Sequence, residues 1–146
     1  MKEIKAPNKF GILDQSLFLA GSIEMGKAVD WQAKVRELLQ DSDWTILNPR
    51  RDDWDSSWVQ SIDNPQFREQ VAWELDAQDY ADKILMYFAP ETKSPISLLE
   101  LGLYASSGKM VVVCPEGFWR RGNVEIVCAR YNIPFCQTIE EAIKIL

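Results

Sequence analysis

Short apolar runs alternate with segments of helical spacing along this 146-residue chain, and that alternation leaves few folds open. The runs are 16–20, ending at Gly21; 44–47, closed by Asn48-Pro49; 83–88; 110–114; and 134–137. They are apolar on nearly every residue rather than on every second one. Strands of that kind are buried on both faces, as in a parallel sheet with helices on either side. The intervening segments read as helices over 25–40 (through Ala28, Trp31, Val35 and Leu38-Leu39), 65–81, 95–107, 122–131 and 139–146. Asn64-Pro65 supplies a cap and first turn for the second of these. Residues 1–14 read as a polar lead-in, and 50–63, RRDDWDSSWVQSID, as an irregular tryptophan-bearing loop. The expected architecture is one domain over 1–146, a five-stranded, mainly parallel α/β sheet covered on both faces. Ligands of such sheets bind outside the carboxyl ends of the strands. The loops after Ala20, Leu47, Phe88 and Cys114 are therefore expected to line the site.

One acid stands out within this pattern. After the run 83–88, Ser94-Pro95 reads as N-cap and first residue of a helix. At about 100° per residue, Ile96, Leu99, Glu100, Leu103 and Ser107 then share a face. Glu100 falls in an apolar stripe, where an ionised carboxylate is costly without a compensating partner. Two readings stand: Glu100 is a catalytic carboxylate, or it forms a buried ion pair or caps a backbone group. Glu74 is a second candidate, because Phe67, Val71, Glu74 and Gln78 recur at helical spacing; its alternative is a residue at the stripe's edge. Two converging carboxylates would suit acid/base or nucleophilic chemistry at a glycosidic carbon.

Composition removes several classes of chemistry. The chain has no histidine, so imidazole acid/base catalysis and histidine metal sites are excluded, and no metal or cofactor is expected. A net charge of −6 argues against a nucleic-acid polymer or an anionic membrane as partner. No apolar run approaches the roughly 20 residues of a membrane span, and the start lacks a signal-peptide core. Cys114, Cys128 and Cys136 sit in apolar surroundings and read as reduced cysteines of a cytoplasmic protein.

Residues 21–27, GSIEMGK, have the spacing of a phosphate-binding loop up to the lysine. Ala28 follows, where a hydroxyl would be needed for Mg²⁺, and Glu24 would bring negative charge into the cradle. A milder reading is that the backbone N–H groups of this turn, at a helix N-terminus, hold a hydroxyl or an anionic group.

LFLAGSIEMG, WTILNPRRDDWD, ADKILMYF, SPISLLELGLYASSGK and GFWRRGNVEI together resemble the nucleoside 2-deoxyribosyltransferase-like proteins over roughly residues 15–137. Leu99-Glu100-Leu101-Gly102 is the most specific part. The resemblance implies a flavodoxin-like sheet, and homo-oligomers whose sites are completed across subunits. It also implies cleavage of the N-glycosidic bond of 2′-deoxynucleosides. The glutamate matching Glu100 would attack C1′ and release the base, and a second free base would collect the sugar. Glu74 matches a carboxylate that assists at the base, usually aspartate in the family. Asn123 matches an asparagine lent to the neighbouring subunit's site.

Two departures bear on the substrate. A tyrosine that orients the nucleophile in the family is matched here by Phe18, and Tyr104 is the candidate substitute. An aspartate six residues before the nucleophile is matched by Ser94, as in the related nucleoside monophosphate N-glycosidases, where serine meets the 5′-phosphate. The turn at Gly21 and Ser22 is similar to that of those hydrolases, but Glu24 stands where they carry a basic residue. Trp54 and Trp58, beside Arg50, Arg51, Asp52 and Asp53, fit either a lid over a base or a subunit interface; Trp119, Arg120 and Arg121 fit the same two roles. The expected activity is deoxyribosyl transfer between bases, the alternatives being hydrolysis of a nucleoside 5′-monophosphate and nucleotide binding without catalysis.

Overall fold

A computed structural model describes residues 1–23 and 29–146. The sheet contains β1 (Lys2–Lys5), β2 (Ser16–Gly21), β3 (Thr45–Asn48), β4 (Lys83–Tyr87), β5 (Met110–Val113) and β6 (Phe135–Cys136). Its order is β1-β3-β2-β4-β5-β6, and every neighbouring pair is parallel. Without β1, this is the doubly wound flavodoxin-like order, whose switch point lies between β2 and β4. The helices are α1 (Trp31–Leu39), α2 (Pro65–Tyr80), α3 (Pro95–Tyr104), α4 (Arg121–Arg130) and α5 (Ile139–Ile143).

The strands alternate sides, as a period of two requires. Leu17, Leu19, Leu85, Val111 and Val113 pack with Trp31 and Val35 of α1 and Ala142 of α5. Phe18, Ala20, Ile84, Met86 and Val112 pack with Trp73 and Ala77 of α2, Leu101 of α3 and Val124 of α4. Both sides of β2, β4 and β5 are buried, which is why their sequences run apolar without interruption.

The sixth strand corrects the five-strand expectation. Lys2-Glu3-Ile4-Lys5 reads as a polar lead-in, yet it pairs in register with Thr45–Asn48 at the sheet edge. The Glu3 carboxylate anchors it, accepting from Asn48 Nδ2 at 2.8 Å and Arg36 Nη1 at 3.1 Å. An edge strand contributes mainly backbone hydrogen bonds, and its lysines discourage further strand pairing.

The helix expected over 25–40 begins at Trp31 within the described residues, with Asp30 as its cap accepting from Ala33 N at 3.1 Å. Residues 24–28, carrying its expected start and the Glu24-to-Lys27 part of the phosphate-loop reading, lie outside the described residues. The helix expected over 95–107 ends at Tyr104 and tightens into a 3₁₀ turn, closed by Gly108 at φ 74°. Cys114, Cys128 and Cys136 are free and buried. Among the described residues no helix is long and apolar enough to cross a membrane.

Candidate active site

α3 turns a different stripe inward from the expected one. Ser97, Glu100, Leu101 and Tyr104 are buried, at the i, i+3, i+4, i+7 spacing of one helical face. Ile96, Leu99 and Leu103 are 58, 59 and 56 % exposed, so Glu100 does not share their face. PISLLELGLY carries two apolar stripes slightly out of phase, and packing against the sheet chooses between them. Glu100 itself is 9 % exposed.

The Glu100 environment comes from α2. Gln78 Nε2 donates a short hydrogen bond to Glu100 Oε2 and also reaches the Glu74 carbonyl at 3.2 Å. Glu74 is half-buried, and its Oε1 accepts from Gln70 Nε2 at 2.7 Å. Gln70 Nε2 also donates to the Pro49 carbonyl at 2.8 Å, tying the carboxylate pair to the loop after β3. Burial, followed by the Glu74 charge, pushes the Glu100 carboxyl up to about 8, while the Gln78 bond opposes the rise. Burial likewise raises Glu74, against the Gln70 bond. Two neighbouring acids largely shielded from water cannot both ionise cheaply, so they titrate as a pair. No ion pair joins either acid to a cation among the described residues, which removes the buried-ion-pair reading for Glu100.

Tyr104 does not orient Glu100. Its hydroxyl donates to Asp79 Oδ1 at 2.9 Å and lies 3.3 Å from the Leu75 carbonyl. Burial and the Asp79 acceptor raise its pKa. Phe18 is a core residue in the middle of β2, tilted against Trp73 with ring centroids 6.4 Å apart.

The carboxyl ends of β2 and β4 meet in a buried cluster of hydroxyls. Ser22 Oγ lies 2.5 Å from Ser94 Oγ and 3.0 Å from Thr92 Oγ1, and those two are 2.7 Å apart. Ser22 Oγ also accepts from Ala89 N at 2.9 Å, and Thr92 donates to the Ala89 carbonyl. Ser94, expected to cap α3 through its side chain, instead has a left-handed backbone (φ 47°) and makes no capping bond there. Gly21 pairs with Tyr87 so closely that a Cβ would sit 2.2 Å from the Tyr87 carbonyl oxygen.

The loop after β3 folds on itself. Asp53 pairs with Arg51 through both oxygens, at 3.0 and 3.1 Å. Arg51 also reaches Glu69 at 3.2 Å and lies over the Trp58 ring. Trp54 meets Trp58 edge-on at 5.0 Å, and its indole Nε1 is buried without a partner among the described residues. Lys93 and Arg120 flank the Trp119 ring, whose Nε1 donates to the Lys93 carbonyl. Asn123 is exposed on the first turn of α4, in a groove of about 190 Å³ with Leu98, Gly102 and Val127. The structure thus joins Glu100 to Glu74 and Ser22 to Ser94. No hydrogen bond among the described residues links Asp53, Trp54 or Asn123 to either group. Gln70, Gln78 and Thr92 escaped the sequence reading as partners. The i, i+4, i+8 spacing of Gln70, Glu74 and Gln78 was the available signal.

A doubly wound parallel sheet with one buried and one half-buried carboxyl behind its switch point defines an α/β domain suited to carboxylate chemistry. The family described as nucleoside 2-deoxyribosyltransferase like matches residues 14–118, and the chain belongs to that family. The match includes Glu74, Ser94 and Glu100 and ends before Asn123. No curated protein matches the chain.

Proposed function

We propose that the chain is a single-domain glycosyl-transfer enzyme that moves 2-deoxyribose between nucleobases. The observation that supports it most is Glu100: a carboxyl buried against a second acid, with no cation paired to it among the described residues, inside the family's matched segment. In the first step a Glu100 carboxylate oxygen attacks C1′ of a 2′-deoxynucleoside. The C1′–N bond breaks, its electron pair leaves with the base, and Glu74, which takes over the pair's proton as Glu100 ionises, gives that proton to the base. An acceptor base then attacks C1′ with a ring nitrogen and displaces the Glu100 carboxylate, while Glu74 takes the acceptor's proton. Raised and coupled carboxyls are how one site holds acid and base together. No metal or cofactor enters this scheme.

A second reading is hydrolysis of a nucleoside 5′-monophosphate. The buried Ser22, Thr92 and Ser94 hydroxyls favour it, because they stand beside the N-terminus of α3, where anions are stabilised. We assign Asp53 and Trp54 to the base end of the site, and Gly21, Ser22 and Ser94 to its sugar end. Incubation with deoxynucleosides and deoxynucleotides, with and without a free acceptor base, separates the readings. New nucleoside supports transfer, free base alone supports hydrolysis, and thermal stabilisation without turnover leaves a binding module.

We further place the protein in the cytoplasm as a homo-oligomer in which Asn123 completes a neighbour's site. The exposed row Ile96, Leu99 and Leu103 supports assembly, since apolar rows of this kind mark interfaces. Leu99→Asp is expected to lower the mass measured by light scattering from an oligomer to a monomer. A wild-type protein that already runs as a monomer would sink this assignment.

A further inference from the structure

We propose that Gln78 is a positioning residue, an amide that clamps Oε2 of Glu100 and leaves Oε1 as the oxygen that reacts. This rests on the transfer reading for the word reacts; the clamp itself does not. Gln78 is fully buried, at 0 % exposure, on the last turns of α2. Its Nε2 serves two acceptors, the Glu74 main-chain carbonyl at 3.2 Å and Glu100 Oε2. Rotating the amide by half a turn would set its oxygen against that carbonyl and against the carboxylate, so the amide's orientation is chosen by backbone that cannot move away.

Gln78 Oε1 is buried with no partner among the described residues. An orphaned acceptor is unfavourable, and an apolar side chain would fill this place without it. Keeping an amide here makes sense if its donor is needed. Glu100 thereby meets a fixed N–H on one oxygen, a contact that favours the carboxylate over the acid. No described hydrogen bond reaches the other oxygen.

Among the described residues, Gln78 is the group that opposes protonation of Glu100. From α2 Glu100 faces Glu74, which disfavours its charge. On its own helix Tyr104 faces it, with that hydroxyl turned to Asp79 and with Asp76 close by. The cation Lys109, just before β5, points its Nζ at the Gln78 and Asp79 carbonyls, so it caps the end of α2.

The test is the titration of Glu100, followed by carboxyl carbon NMR and assigned by its loss in Glu100→Gln. In Gln78→Met, which keeps the length and loses the donor, the midpoint is expected to rise by about one to two pH units. At pH 7 kcat should fall about tenfold or more, recover as the pH is raised, and leave KM little changed. An unmoved midpoint would overturn the proposal. A measurement on the unaltered side chain guards against a variant that fails to fold. The Gln78 amide nitrogen signal in the wild type should shift with the same midpoint as Glu100 and lose that step in Glu100→Gln; an amide signal flat across that range also overturns the clamp. Neither titration needs substrate, so a protein that passes both and exchanges no bases refutes the transfer reading and leaves the clamp standing.

Discussion

Glu100→Gln should leave a folded protein that has lost most of its transfer activity and is more stable than the wild type above pH 8. The amide keeps the volume and can still accept from Gln78, so the local packing survives. Without an attacking carboxylate, the exchange rate should fall by about 10³-fold or more. The stability gain follows from the sign of the pKa shift. An unfolded glutamate ionises near 4.5 while folded Glu100 keeps its proton to about 8. Between those values the native state binds more protons than the unfolded one, so wild-type stability falls as the pH rises and levels off above 8. Glu100→Gln has no such proton to lose. The difference at pH 9 is on the order of a few kcal/mol. In the wild type, kcat/KM should climb about tenfold per pH unit as Glu100 ionises and fall again once Glu74 has also lost its proton. Urea melts at pH 5 and pH 9, with initial rates across the same range, check both parts. A variant with wild-type turnover removes Glu100 from the chemistry; one with an unchanged pH slope of stability removes its buried proton.

The second large effect is purely steric. Gly21 has φ 132°, a region side chains rarely enter, and an added Cβ would stand 2.2 Å from the Tyr87 oxygen and 2.7 Å from its nitrogen. Those atoms belong to the neighbouring strand and are held by its pairing, so the clash is not relieved by rotating a side chain. Gly21→Ala is expected to cost about 3 kcal/mol or more, a large part of the 5–15 kcal/mol typical of a domain. Its urea midpoint should drop by about 1–3 M. Gly102→Ala provides the contrast. It lies in α3 with nothing within 4 Å of the new methyl group, and should be neutral or stabilising by about 0.5–1 kcal/mol. Equal midpoints for the two variants would contradict the close approach of β2 to β4.

Much of this arrangement was legible in the residues, for reasons that differ by element. β2, β4 and β5 announce themselves because burial on both faces forces uninterrupted apolar runs. β1 does not, since Lys2-Glu3-Ile4-Lys5 joins the sheet through its backbone and one anchored carboxylate. Glu100 was visible as an acid amid apolar residues. The face it uses was not, because Ile96-Leu99-Leu103 and Leu101-Tyr104 compete on one short helix and only the sheet decides between them. Ser22 and Ser94 are 72 residues apart, and their hydroxyls meet because β2 and β4 are neighbours. Tyr104 was misjudged for a similar reason: Asp79 comes to it from another helix. Gln70 and Gln78, uncharged and ordinary in composition, gave only a spacing.

α3 has one further implication. Its ten residues make a rod about 15 Å long, with the acid on the underside and three greasy side chains on top. A load placed on the top is felt underneath, because so short a rod cannot bend between the two. Whatever comes to rest on Ile96, Leu99 and Leu103 therefore also sets how far Glu100 can travel.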